Sequence, residues 1–145
     1  MPFVSLTRLR LRSIRFLPGF FFHAVRSQRQ LRLAPGFLGG GLLSDSRRTF
    51  WTMSLWDHEA SMRAFMTSGA HRAAMPRLME WCDEASVAHW EREERGLPSW
   101  QEAEQRMRQM GRPSRLRHPS PAHASMSYDP PATHAGVAIT PAARD

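Results

Sequence analysis

The sequence predicts an α+β fold with a four-stranded antiparallel sheet in the ferredoxin-like order β-α-β-β-α-β. Three observations lead to this prediction. A strand-like run at 37–44 and an alternating run at 49–56 flank a polar turn. Alternating segments also open the pattern at 3–12 and close it at 84–91. Helical periodicity fills the two intervals, from about residue 18 to 33 and from residue 57 onward.

The first half of the pattern has clear boundaries. Leucines alternate with arginines at 3–12, which indicates a strand with one solvated face. Pro18 suits the first turn of the helix, because a proline has no amide hydrogen to leave unsatisfied there. The Pro35-Gly36 turn then begins the second strand, whose glycines at 39–41 indicate a bulge or a close backbone approach.

The strand at 49–56 carries bulky side chains on both faces. Trp51 and Met53 lie on one face, whereas Phe50 and Trp56 lie on the other. We therefore expect both faces of the sheet to be covered. Helices on one side would leave the second face bare, so the simplest cover is a second copy of the chain, and we predict a homodimer.

The second helical region completes a predicted domain at residues 1–93. Asp57 is the expected N-cap, since its carboxylate can accept from free amides of the first turn. The helical pattern pauses at Ser68-Gly69 and contains Pro76, which predicts a kink or a restart.

Two segments follow this domain. Ser99 and Glu102 match a capping box, which predicts a helical arm at 97–111, docked on its own sheet or on the partner. Proline, serine and alanine dominate residues 112–145, and hydrophobic periodicity vanishes there. This composition predicts a largely disordered tail.

Composition excludes several classes of protein. The chain has 145 residues, a formal net charge of +7, and arginine as its only basic residue type besides histidine. Its single cysteine, Cys82, excludes an intrachain disulfide and a cysteine metal site, and is typical of a reducing cytoplasm. We expect Cys82 to be a buried apolar residue. No apolar run approaches the ~20 residues that a membrane helix needs, so no membrane span is predicted.

The N-terminal region leaves two further alternatives open. It has no acidic residue before Asp45, a composition that is also typical of a transit peptide or an amphipathic membrane anchor. The strand alternation favours a folded segment instead. Arginine alternation is more typical of a solvated strand than of nucleic-acid binding, since no aromatic stacking platform accompanies it. We therefore predict no nucleic-acid partner.

Residues 3–91 resemble the antibiotic-biosynthesis-monooxygenase superfamily of dimeric α+β barrels. The likeness rests on PGFLGG, TFWTMSLWD and SGAHRAAM in that order, and VSLTRLRLR, APGFLG and VAHW make it similar to spheroidene monooxygenase-like proteins. The resemblance implies a small-molecule monooxygenase, cofactor-free or haem-dependent, that acts on an apolar conjugated or polycyclic substrate. An alternative is a non-catalytic dimeric barrel that binds an apolar ligand or a protein partner.

The chain departs from the haem-degrading members of this superfamily at three positions. Haem-degrading members carry their proximal histidine where this chain has Met75, their haem-distorting tryptophan where it has Phe65, and an asparagine near Thr7. These departures argue against haem degradation. His71, one turn before Met75, is the candidate catalytic residue, because a neutral imidazole can accept a substrate proton or bind haem iron. The simpler alternative is a histidine that donates to a backbone carbonyl.

We predict five substrate-binding residues, which would line a cavity between sheet and helices. They are Trp51, Met53, Phe65, Met75 and His89. Trp51 could stack on a flat ligand, although a tryptophan at strand spacing is more often core. His89 could line the same cavity or face the dimer interface.

Overall fold

The computed structural model describes residues 1–131 and 136–143. The elements are β1 (Phe3–Leu11), a 3₁₀ helix (Ile14–Phe16), α1 (Leu17–Leu33), β2 (Phe37–Asp45), β3 (Thr49–Trp56), α2 (Glu59–Met66), α3 (Gly69–Trp81), β4 (Cys82–Glu91), α4 (Trp100–Met110), β5 (Arg112–Pro113) and β6 (Gly136–Ile139). Their order confirms the predicted α+β fold. Among the described residues, no helix combines the length and apolar character that crossing a membrane requires.

The sheet is antiparallel and has the strand order β5-β4-β1-β3-β2-β6. Its central strands, β4-β1-β3-β2, have the ferredoxin-like arrangement that the sequence predicts. Phe3 of β1 lies opposite Trp56 of β3 on one side and Glu91 of β4 on the other. The glycine-rich strand β2 pairs along its outer edge with β6, where Gly40 lies opposite Ile139.

The outer strands come from the segment that was predicted to be a disordered tail. β5 pairs with β4, and β6 pairs with β2, so the described part of the tail extends a sheet that was predicted to have only its central strands. Backbone pairing needs no hydrophobic periodicity, which explains why the pattern gave no sign of these strands. The tail prediction at 132–135 and 144–145 lies outside the described residues.

The second helical region consists of two helices. His58 is the N-cap of α2, because its side chain accepts from the backbone N–H of Ser61 at 3.3 Å. The prediction of Asp57 as N-cap is therefore wrong. The Asp57 carboxylate instead accepts from the N–H of His58 at 2.8 Å, one residue too early to cap the turn. The restart falls at Gly69, where φ is +59°, and α3 continues through Pro76.

One face of the sheet, the helix face, is covered by α1, α2 and α3. Phe3, Phe37 and Trp56 pack there with Leu31 of α1 and Met62 of α2. A second apolar cluster lies nearer the other end of the same helices. Its buried members are Leu11, Phe20 and Cys82. Helix α1 runs antiparallel to α3, because Gly19 approaches Trp81 while Gly69 approaches Gln30.

The opposite face, the arm face, is covered by α4 and by the segment that follows it. Trp51 and Met53 are 1% and 2% exposed and pack with Ala103 and Met107 of α4. The ring of Tyr128 completes the cover, at 5.7 Å from the ring of Trp51. The prediction that both faces are covered is confirmed, but α4 supplies the cover within one chain. A second copy is therefore not needed to exclude water from this face.

The arginines of β1 lie on the arm face, so the predicted solvated face is wrong. Arg8 Nη1 lies 2.8 Å from Glu84 Oε1, and Arg10 Nη1 lies 3.1 Å from Glu84 Oε2. Arg10 also pairs with Asp83 at 2.9 Å. The hydroxyl of Ser120 donates to Glu84 at 3.0 Å. These carboxylates are 70–80 residues away along the chain, so local charge patterning could not predict the pairing.

Cys82 should be unreactive in the folded protein. The residue is fully buried, and burial, with a smaller contribution from Asp83, raises the pKa of its thiol to about 12. Because the thiolate is the reactive species, a disulfide exchange reagent at pH 8 should modify Cys82 only after unfolding. Thiol titration with and without denaturant measures this. Complete modification of the native protein within seconds would contradict the assignment.

Candidate functional site

His71 lies in the first turn of α3, where one side chain from α1 fixes the backbone. Gln30 Oε1 accepts from the N–H of His71 at 2.9 Å, and Gln30 Nε2 donates to the carbonyl of Ser68, also at 2.9 Å. Gly69 adopts the left-handed conformation that lets the chain turn here, and a Cβ at that position would meet Gln30 at 3.0 Å. Gln30 therefore ties the junction of α2 and α3 to α1.

The imidazole of His71 is held as a neutral ring of defined tautomer. Its Nδ1 lies 3.2 Å from the carbonyl oxygen of Met66, which can only accept, so Nδ1 carries the proton. Burial lowers the pKa of His71, and the bond to Met66 opposes this only in part. Nε2 keeps its lone pair and has no hydrogen-bond partner among the described residues. A hydrogen bond from His71 to a backbone carbonyl was the simpler alternative to catalysis that we considered from the sequence. The structure contains this bond, and it leaves Nε2 free as an acceptor.

Phe65 joins His71 to an open groove. Its ring centroid lies 4.9 Å from that of His71 and 5.4 Å from that of Trp56. Phe65 also lines a groove of about 550 Å³ between the C-terminal end of α1 and α2, of which His71 is not a lining residue. The groove has mainly apolar walls. They include Leu33, Ala34, Pro35 and Ala64. Gln30 and Ser61 are among its few polar lining residues.

His89 is a second neutral imidazole on the helix face. It lies on β4 beside Ser5 of β1, and its ring centroid is 5.8 Å from that of Phe3. Burial, followed by the positive charges of Arg112 and Arg63, lowers its pKa. Its Nε2 is buried and has no hydrogen-bond partner in the part of the chain that the structure describes. An unpaired buried nitrogen costs free energy, so His89 is a local weak point of the packing on the helix face.

The structure brings together only part of the predicted site. His71 and Phe65 are in contact, and His89 lies on the same face of the sheet. Trp51 and Met53 lie on the arm face, so the sheet separates them from His71. Met75 is 40% exposed on α3. Sequence reasoning missed Gln30, because a single glutamine within a helix gives no signal of its tertiary partner.

With Phe65 in its observed position, a haem does not fit between the helices and the sheet beside His71. Such a group needs a flat cavity next to its axial nitrogen. Here the ring of Phe65 lies against His71, and Trp56 and Met62 are fully packed behind it. We therefore derive no chemical step through haem.

Solved structures share this fold at low sequence identity. A cofactor-independent oxygenase from Streptomyces nogalater, SnoaB, has 12% identity and a TM-score of 0.53, over 68% of this chain and 98% of that one. An antibiotic biosynthesis monooxygenase has 11% identity and a TM-score of 0.56, over 66% and 99%. A conserved protein from Methanosarcina mazei has 12% identity and a TM-score of 0.57, over 64% and 94%. These similarities establish the fold alone.

The amino-acid sequence assigns the chain to a narrower group of proteins than the fold does. A search of curated proteins finds no match. One family model, described as a domain of unknown function and designated DUF3291, matches residues 13–122. The match extends from the 3₁₀ helix to the segment after β5, so it includes α1, the helix-face residues of the candidate site and α4. This chain therefore belongs to the DUF3291 family.

Proposed function

We propose that the protein is a cofactor-free monooxygenase that acts on an apolar conjugated or polycyclic small molecule, with His71 as the base. One observation carries the proposal: a neutral imidazole with a free Nε2 adjoins an apolar groove through Phe65. The groove volume falls within the range of about 300–1,000 Å³ that is typical of small-molecule sites. The fold shared with a cofactor-independent oxygenase supports the cofactor-free route. The resemblance to spheroidene monooxygenase-like proteins supports the apolar conjugated substrate.

The proposed reaction begins with proton transfer from an activated CH₂ group of the substrate to His71 Nε2. The bond from Nδ1 to Met66 orients the ring and disperses the positive charge that forms. The substrate carbanion then supplies electrons directly to O₂. A carbonyl forms at that carbon and the second oxygen atom leaves as water, so that R₂CH₂ and O₂ give R₂CO and H₂O.

The groove supplies binding and access in this scheme. Leu33 and Ala64 contact the apolar rings, while Gln30, whose amide is already bonded to His71 and Ser68, fixes that wall of the groove. Phe65 separates the groove from His71, so its side chain must turn aside to admit the reacting carbon. All of these residues belong to one chain, and the proposed reaction requires no residue from a second copy.

A second candidate is a binding protein without catalysis. The observation in its favour is the partner of His71 Nδ1, which is a carbonyl of Met66 rather than a carboxylate. A carbonyl stabilises the imidazolium less than a carboxylate does, so the histidine is a weaker base. In this case the groove would hold an apolar ligand without consuming O₂.

Oxygen uptake with an anthrone, a tricyclic ketone with an activated CH₂ group, tests the proposal. We expect His71→Gln to reduce the rate about 10²- to 10⁴-fold, the usual contribution of a general base. The wild-type rate should fall as the pH drops through a pKa below 6.5, because burial favours the neutral ring. The matched control His118→Gln, on the exposed tail segment, should retain the full rate.

Two outcomes would decide against catalysis by His71. An unchanged rate in His71→Gln would exclude its role as the base. Binding of the anthrone by the wild-type protein, followed by fluorescence, without any uptake of O₂ would favour the second candidate. A retained far-ultraviolet circular dichroism spectrum in His71→Gln shows that the variant is folded, so that a loss of rate can be assigned to the imidazole.

A further inference from the structure

The outer side of α1 exposes an unusual set of apolar side chains. Phe21, Phe22 and Val25 are 50%, 58% and 49% exposed, and Ile14 of the adjoining 3₁₀ helix is 68% exposed. Helical spacing places the three α1 residues on one side of the helix. Phe20 on the opposite side is buried. Helix α1 is therefore packed on its sheet through one side and exposes apolar side chains on the other. We refer to Ile14, Phe21, Phe22 and Val25 as the α1 patch.

Arginines without carboxylate partners surround the α1 patch. Arg15, Arg26, Arg29 and Arg47 are exposed, and none of them forms an ion pair with any residue in the described ranges 1–131 and 136–143. Neither the 3₁₀ helix nor α1 contains an acidic residue. The arginines of β1 differ sharply, since they are neutralised by Glu84 and its neighbours.

The β2–β3 turn brings further positive charge to the same end of the molecule. The backbone N–H of Leu11 donates to the carbonyl of Arg48 at 3.1 Å, and Arg48 Nε donates to the carbonyl of Leu11. This pair of bonds holds the turn, and with it Arg47, close to the start of the 3₁₀ helix. Phe21 contacts Phe50 of β3 edge to face, with centroids 5.7 Å apart, which connects the patch to the sheet.

We propose that the α1 patch docks on an anionic lipid surface, with α1 lying in the plane of the interface. Phenylalanine, valine and isoleucine side chains gain free energy at the boundary between headgroups and acyl chains, and the surrounding arginines contact lipid phosphates. A purely electrostatic partner such as a nucleic acid would leave the four apolar side chains in water. A second copy of the chain would bring the same unpaired arginines together, which is unfavourable.

Vesicle co-sedimentation of the full chain tests this surface. The protein should bind phosphatidylcholine vesicles that contain phosphatidylglycerol and should bind pure phosphatidylcholine much more weakly. Arg26→Gln and Arg29→Gln should each weaken binding about fivefold. Phe22→Ala should weaken it about tenfold, since a large apolar side chain no longer enters the interface. Added salt should weaken binding of the wild-type protein, because it screens the arginine contribution.

Matched controls test whether binding depends on the α1 patch or on any exposed arginine or apolar side chain. Arg115→Gln removes an exposed arginine from the C-terminal segment, and Val137→Ala shortens a side chain that is 65% exposed on β6. Both should bind as the wild-type protein does. Equal binding to the two kinds of vesicle, or no effect of Phe22→Ala, would overturn the proposal. So would a stable dimer that Phe22→Ala dissociates, or tight binding to an oligonucleotide that competes with vesicles.

Discussion

Replacing Glu84 with alanine is expected to lower the free energy of unfolding by about 3–5 kcal/mol, the usual cost of leaving a buried charge without its partner. Arg8 and Glu84 are only 7% and 5% exposed, and their charged atoms lie 2.8 Å apart. Glu84 also contacts Arg10 and accepts from Ser120. Without Glu84, Arg8 would keep its charge in a site closed to water. Urea unfolding followed by tryptophan fluorescence measures the change.

The exposed pair between Glu59 and Arg63 provides the control. These side chains lie 2.7 Å apart on α2 and are open to solvent, so Glu59→Ala should cost less than about 1 kcal/mol. Equal losses for the two variants would show that the Arg8 charge is solvated. A double variant with methionine at positions 8 and 84 should recover much of the stability, because an apolar pair leaves no buried charge.

Met107→Ala is expected to cost about 2–5 kcal/mol, the range for truncating a fully buried methionine. Met107 has no exposed surface and lies in the apolar cluster with Trp51 and Met53. Met110 lies on the same helix and is 42% exposed. Met110→Ala has identical chemistry and helix propensity, so it should change the stability by less than about 0.5 kcal/mol.

Chemical denaturation of both methionine variants distinguishes a packed arm from a loosely attached one. If α4 rests only weakly on the sheet, the two substitutions should have similar small effects. Such a result would contradict the arm-face cover. Sedimentation of Met107→Ala provides a second measurement. Loosening α4 exposes Trp51 and Met53, so this variant should associate more than the wild-type protein does.

The central sheet was predictable because its strands carry strong local patterns. Alternation at β1, β3 and β4 and the polar turn after β2 placed the strands, and apolar side chains on both sides of β3 indicated two covered faces. The identity of the cover was not predictable. Ser99 caps α4 as expected, with its hydroxyl accepting from the N–H of Glu102 at 3.1 Å. Nothing in that local pattern determines which sheet the helix contacts.

The tail was harder to predict because its contacts are few and distant in sequence. The guanidinium groups of Arg8 and Arg108 lie over the ring of Tyr128, at 4.2 and 4.5 Å from its centroid. His123 is buried and donates to the carbonyl of Ser114 at 2.7 Å. Single aromatic and polar contacts of this kind leave no periodic signal in a segment rich in proline and serine.

The candidate site was predictable only in part, because local patterns indicate candidate residues but not how the elements pack. A histidine on a helix facing a sheet was a reasonable candidate, and the structure places His71 against Phe65. Strand alternation correctly grouped Trp51 with Met53. It could not indicate that the helices cover the other side of β3, which is where Trp56 lies. Assigning faces to helices requires knowledge of how the whole chain packs.

The position of β1 at the middle of the sheet affects the order in which the protein can fold during synthesis. β1 is synthesised before both of its neighbours, which end at Trp56 and Glu91, and α4 follows only at Trp100. A growing chain therefore displays the Trp51 side of the sheet until α4, which ends at Met110, has left the ribosome. Apolar surface that is exposed for this interval is prone to aggregation, and rapid elongation or a chaperone would reduce that exposure.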